Sequence, residues 1–125
     1  MKTTIAARIC GIDHACAIPR DTLHLFEALH GSANALMARI RAGNWTADEI
    51  AAIIDYAIAP PKADASLEAT MLRTRRDPES AAHRAIVEKG AATYVPLAIG
   101  LLLATLYGLP DEATDFTDEP DGPDA

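Results

Sequence analysis

Aromatic side chains are scarce in this chain: Phe, Trp and Tyr supply 5% of its 125 residues, although half the residues are apolar. A β-sandwich leans on aromatic and branched side chains, whereas the alanine that dominates the apolar half here favours closely packed helices. Cysteine is also rare. Cys10 and Cys16 are too few for a disulfide framework and read as reduced thiols. No nucleophile elbow, glycine-rich phosphate loop or His-Glu-x-x-His motif occurs, so nothing in the sequence points to an enzyme or a cofactor. Nor does the start read as a signal peptide. Met1-Lys2-Thr3-Thr4 leads into only a short, arginine-interrupted apolar run, and a cytoplasmic location is expected.

Basic residues are missing from one region altogether. Residues 111–125 hold Asp111, Glu112, Asp115, Asp118, Glu119, Asp121 and Asp124 without a single Lys or Arg. They account for the whole net charge of −7, because residues 1–110 balance eleven acids against eleven bases. With Pro110, Pro120, Gly122 and Pro123 interspersed, this segment reads as a disordered acidic tail on a single domain of residues 1–110. It is either a solubilising tail or a short acidic motif around Phe116 that meets a basic partner or masks an apolar face.

Charge is absent again from Ala91 to Tyr107. Seventeen residues span about 25 Å as a helix, the short limit for crossing a bilayer. Pro96, Gly100, the many alanines and the lack of basic anchors on the C-terminal side argue instead for a central core helix. A helix apolar all round also invites sharing with a second subunit, so a homo-oligomer is possible and a membrane is not expected.

Metal and nucleic-acid signals are thin. His24, Glu27 and His30 do not supply a standard ligand spacing, and Cys10, His14 and Cys16 lack both a zinc spacing and a fourth ligand. Arg73, Arg75 and Arg76 form a small basic cluster without interleaved aromatics on a neutral body, which reads as a solvated loop.

Periodicity supplies the architecture: mainly α, with a short N-terminal β-hairpin followed by a compact bundle of about five helices. Ile5, Ala7 and Ile9 alternate with Thr4, Ala6 and Arg8, predicting strands over 3–9 and 14–18 joined by a Cys10–Asp13 turn. Asp21 is the expected cap of a helix carrying Leu23, Phe26 and Leu29 and ended by Gly31, and Ser32 the cap of a second with Leu36, Met37 and Ile40. Gly43 and Asn44 suit a left-handed helix end. Thr46 with Glu49 forms a capping box, and Trp45 with Ile50 matches a hydrophobic staple opening a third helix. Its stripe of Ile50, Ile53, Ile54, Ala57 and Ile58 stops at Pro60-Pro61. Residues 62–76 are polar, with a weak helix around Ser66–Leu72. Asp77-Pro78-Glu79 reads as the start of a helix carrying Ala82, Ala85 and Ile86 and ending near Gly90, and the last helix covers about Thr93 to Tyr107.

Two runs of residues, Leu23-His24-Leu25-Phe26-Glu27-Ala28-Leu29-His30-Gly31 and Ala38-Arg39-Ile40-Arg41-Ala42-Gly43-Asn44-Trp45-Thr46-Ala47-Asp48-Glu49-Ile50, resemble the small tail proteins of gene transfer agents and siphophage-like particles. In that family a leucine-glutamate helix ends in glycine. A second helix then runs through Gly-x-Trp/Phe-Ser/Thr-x-x-Asp/Glu into an aliphatic helix. Ile86-Val87-Glu88-Lys89-Gly90 and the closing apolar segment to Gly108 are similar to the family's end. The likeness spans most of residues 5–108, with 60–76 longer and richer in arginine than the pattern. It implies a tail assembly chaperone that binds the tape measure protein, or other tail proteins, in the bacterial host cytoplasm. The alternative is a structural tail component, a tube or minor tail protein. On the chaperone reading the candidate partner-binding residues are Phe26, Leu29, Trp45, Ile50, Ile53, Ile54, Leu101, Leu102 and Leu106; ordinary core packing is the competing explanation for each, and the favoured one for Trp45 and Ile50.

Overall fold

The computed structural model describes residues 2–73, 79–110 and 115–117. Within them the chain is mainly helical behind an N-terminal hairpin, as composition and periodicity indicate. Strand β1 (Ile5–Ile9) pairs antiparallel with β2 (Ile12–Cys16), Ile9 opposite Ile12. The turn is therefore two residues, Cys10-Gly11, and shorter than the four-residue turn expected. Both sit at positive φ, 52° and 78°, as a type I′ hairpin requires. Ile5, Ala7 and Ile9 are buried while Ala6 and Arg8 are exposed, which is the alternation read from sequence.

A 3-10 turn (Arg20–Thr22) precedes α1 (Leu23–His30), so Asp21 lies inside that turn and does not cap the helix; Thr22 takes the N-cap position without a side-chain capping bond, its hydroxyl donating to the Pro19 carbonyl at 3.3 Å. The Thr22 carbonyl instead accepts from the buried Tyr56 hydroxyl at 3.0 Å. Ser32 does cap α2 (Ala33–Arg41), its hydroxyl accepting from the Ala35 amide, and the Glu27 carboxylate accepts from the Ala33 amide at 2.8 Å. Helix α3 (Ala47–Ile58) follows the Thr46 box and buries Ile50, Ala51, Ile53, Ile54, Tyr56 and Ala57. The weak helix of the polar stretch exists as α4 (Leu67–Arg73) and packs on α1. Helix α5 (Ala81–Lys89) starts from Ser80, whose hydroxyl accepts from the His83 amide. That start is later than the one expected at Asp77-Pro78, which lie outside the described residues along with Arg75 and Arg76.

A second 3-10 turn (Ala91–Tyr94) leads into α6 (Val95–Tyr107), so the last regular helix begins two residues after Thr93. Thirteen residues rise about 20 Å, and no described helix is long and apolar enough to cross a membrane. Helix α6 is instead the centre of the core, packed against α2 and α3, with Leu97, Ala98, Leu101, Leu102 and Ala104 buried. Its Gly100 lets β1 come close: a Cβ there would lie 3.2 Å from Ile5 Cδ1. The Arg20 side chain donates to the Thr105 carbonyl at 3.0 Å and so satisfies one of the helix's last carbonyls.

The acidic segment is not wholly separate from the domain. Phe116–Thr117 form β3, parallel to β1 on the edge opposite β2, giving the order β2-β1-β3. The remainder of 111–125 lies outside the described residues. What overrides the disorder signal at Asp115–Thr117 is a bare strand edge with a lysine beside it, neither of which is visible in the tail's own composition.

Candidate functional site

The residues proposed from sequence to meet a partner divide by burial. Phe26, Ile50, Ile53, Ile54, Leu101 and Leu102 are buried in one continuous core, and Leu29, Trp45 and Leu106 are partly buried against it. The first six face one another rather than solvent, so a partner could reach them only by opening the core. Phe26 illustrates the packing, with its ring 5.2 Å from that of Tyr56 in an edge-on contact and 4.7 Å from that of His30.

The junction around Trp45 is built as its sequence implies. Gly43 has φ 85°, the Gly43 amide bonds the Ile40 carbonyl and the Asn44 amide the Arg39 carbonyl, which together make a Schellman end for α2. Thr46 Oγ1 accepts from the Glu49 amide at 3.2 Å, and Glu49 Oε1 accepts from the Thr46 amide at 3.1 Å. A further contact went unseen in the sequence. Arg39 places both terminal guanidinium nitrogens on the Glu49 carboxylate and also donates to the Asn44 carbonyl at 2.9 Å. The Arg39 hydrogen bond is the main reason the Glu49 carboxyl is held below its ordinary range. Ten residues separate the pair, beyond any single-helix spacing rule, and only the arginine near the helix end hinted at it.

The apolar side chains left exposed are different ones: Ile12, Leu67, Met71, Val87 and Tyr107. Leu67 and Met71 are four apart on α4 and so share a face. Sequence reading passed over them because the surrounding residues are polar, although their spacing was a usable signal. Methionine's flexible thioether adapts to irregular apolar partners, which suits such a ridge to docking.

The thiols and histidines do not converge. Cys16 is fully buried, and burial pushes its thiol up to about 11, while Cys10 is exposed at the hairpin tip, 3.7 Å from a Glu88 carboxylate oxygen. Among the described residues no three His, Cys, Asp or Glu side chains gather as a metal site. His83 is the most engaged histidine. Its Nδ1 shares a hydrogen bond with Ser80 Oγ at 2.9 Å, and Asp48 and Asp55 of α3 lie at 3.5 and 3.7 Å on opposite ring nitrogens. The Ser80 hydroxyl is already the α5 cap, so this cluster joins α5 to α3. His30 is partly buried against Phe26, and desolvation holds its pKa below the ordinary value of 6.5.

No protein-family model matches the chain, and neither a curated protein nor a solved structure matches it.

Proposed function

We propose that this chain is an interaction protein, a tail assembly chaperone of a phage-like particle or gene transfer agent that holds the tape measure protein in the host cytoplasm until the tail tube polymerises. The observation that carries the reading is the exposed pair Leu67 and Met71 on α4, a short apolar ridge against which a helical client can lay its own apolar face. The likeness of the glycine-ended helices and the Trp45 junction to small tail proteins supplies the identity of that client. Strands of five residues weigh against the alternative of a tube subunit, which needs long strands to build stacked rings.

Co-expression with a long helical tape measure protein, followed by capture, tests the proposal. The expected result is co-purification that Met71→Glu abolishes while circular dichroism and melting stay unchanged. Quantitative mass spectrometry of purified particles provides the contrary outcome, because many copies per particle would overturn the chaperone reading in favour of a structural component.

A further inference from the structure

The outer edge of β1 is covered by the chain's own C-terminal segment through three distinct kinds of contact. The first is backbone pairing. Lys2 and Leu109 exchange both amide-to-carbonyl bonds at 2.8 Å, and further along, Ala7 and Arg8 lie in parallel register with Phe116 and Thr117. The second is a carboxylate seat, in which Asp115 Oδ1 accepts from Lys2 Nζ at 2.8 Å and from the Ala6 amide at 3.2 Å. Both donors converge on one oxygen, and the Lys2 bond is the main reason the Asp115 carboxyl stays below its ordinary range. The third is an aromatic wall. The Phe116 ring packs against the core with its centroid 5.9 Å from that of the fully buried Tyr94.

Main-chain pairing for affinity with side-chain seats for selectivity is how sheet edges bind extended peptides. The hold of the tail is slight. Its regular ladder is two residues long, and an exposed lysine–aspartate pair contributes little. What keeps it in place is its tether, which makes rebinding intramolecular. We infer that the outer edge of β1 is a docking site for an extended segment of a partner protein bearing an acidic residue followed by an aromatic one, aligned parallel to β1, and that Asp115-Phe116-Thr117 occupies it in cis as a displaceable competitor. The charge pattern selects this occupant: Lys2 and the Ala6 amide take the carboxylate, and the Tyr94 wall takes the ring. The inference does not depend on the chaperone reading, which concerns α4.

The test uses the full chain and a fluorescein-labelled peptide with the sequence of residues 113–119. In a chain carrying Asp115→Asn and Phe116→Ala the edge is vacated, and the peptide should bind about a hundredfold more tightly than to the unaltered chain, the advantage lost with a tethered competitor. Amide shifts at Ala6, Ala7 and Arg8 should report the binding, and a peptide with the same two substitutions should not bind. Excess peptide added to the unaltered chain should also shift the Asp115–Thr117 amides as the tail is displaced, a readout that survives if the double variant does not fold. Failure of the peptide to bind a natively folded double variant overturns the inference, as does equal affinity for both chains. Self-association of the variant that excludes the peptide would overturn it in favour of edge pairing between copies, and unmoved tail amides under excess peptide would overturn it as well.

Discussion

Replacing Thr46 by alanine removes the capping hydroxyl at the α2–α3 junction, together with its long 3.5 Å donation to Glu49 Oε1. The Thr46 hydroxyl accepts from the Glu49 amide, one of the donors that the first helical turn leaves without an intrahelical partner. Thr46 is exposed, so truncation opens no cavity. The reciprocal bond from the Thr46 amide to the Glu49 carboxylate is backbone-donated and survives, as does the Schellman end of α2. The lost capping acceptor should dominate the effect, the exposed 3.5 Å hydroxyl–carboxylate contact adding little, for about 1 kcal/mol in all, which lowers the melting temperature by roughly 4 °C in a domain of this size. Thr46→Ser keeps the acceptor and should stay within about 0.3 kcal/mol of the unaltered chain. Urea unfolding followed by circular dichroism and by Trp45 fluorescence measures both, and the two probes should give the same midpoint if unfolding is cooperative. Serine as damaging as alanine, or alanine without effect, would refute the capping argument. A second arm uses pH. Because Glu49 is depressed in the folded chain, its stabilisation is present above its ordinary pKa of 4.5 and lost as pH falls. The deficit of Glu49→Gln should accordingly shrink in acid.

Three further outcomes follow from local geometry. Cys16 is buried with its thiol raised from 9.0 to about 11, so its contribution is complete below pH 9 and lost as pH rises toward 11; Cys16→Ala should flatten that alkaline decline in pH-resolved unfolding, and Cys10 alone should alkylate in the native chain. His30 should titrate below 6.5 by NMR, because burial disfavours its charged form, and stability should fall as pH drops and the unfolded histidine takes up its proton; a midpoint above 6.5 would contradict the packing against Phe26. Gly43→Ala meets no atom within 4 Å, so its cost should be purely that of left-handed backbone, about 1 kcal/mol, with asparagine cheaper at the same position; an unchanged melting temperature would refute this.

Helix α3 was legible because its isoleucines repeat at three and four and its capping box is contiguous. The hairpin was legible through alternation, but its turn was not. Cys10 at positive φ is an unusual choice, and the familiar two-residue signals put Asn, Asp or Gly there. Asp21 misled because a 3-10 turn precedes α1 and moves the cap on by one residue to Thr22, a shift that no propensity encodes. Stripe residues such as Ile53 and Leu102 carry the same signal whether they meet a neighbouring helix or a foreign one; burial, which is a property of the whole fold, assigns them to the core. The Arg39–Glu49 pair and the seat of Asp115 lie beyond local reading for the same reason, the latter linking positions 113 residues apart.

That last link bears on the order in which the molecule is made. The hairpin is synthesised before residues 109–117, yet among the described residues it is these that cover the far side of β1. Contacts of such sequence separation form late. Until those later residues emerge, then, an uncapped strand edge is presented to whatever is nearby, and the nascent polypeptide passes through a receptive period that pairing with β3 brings to an end.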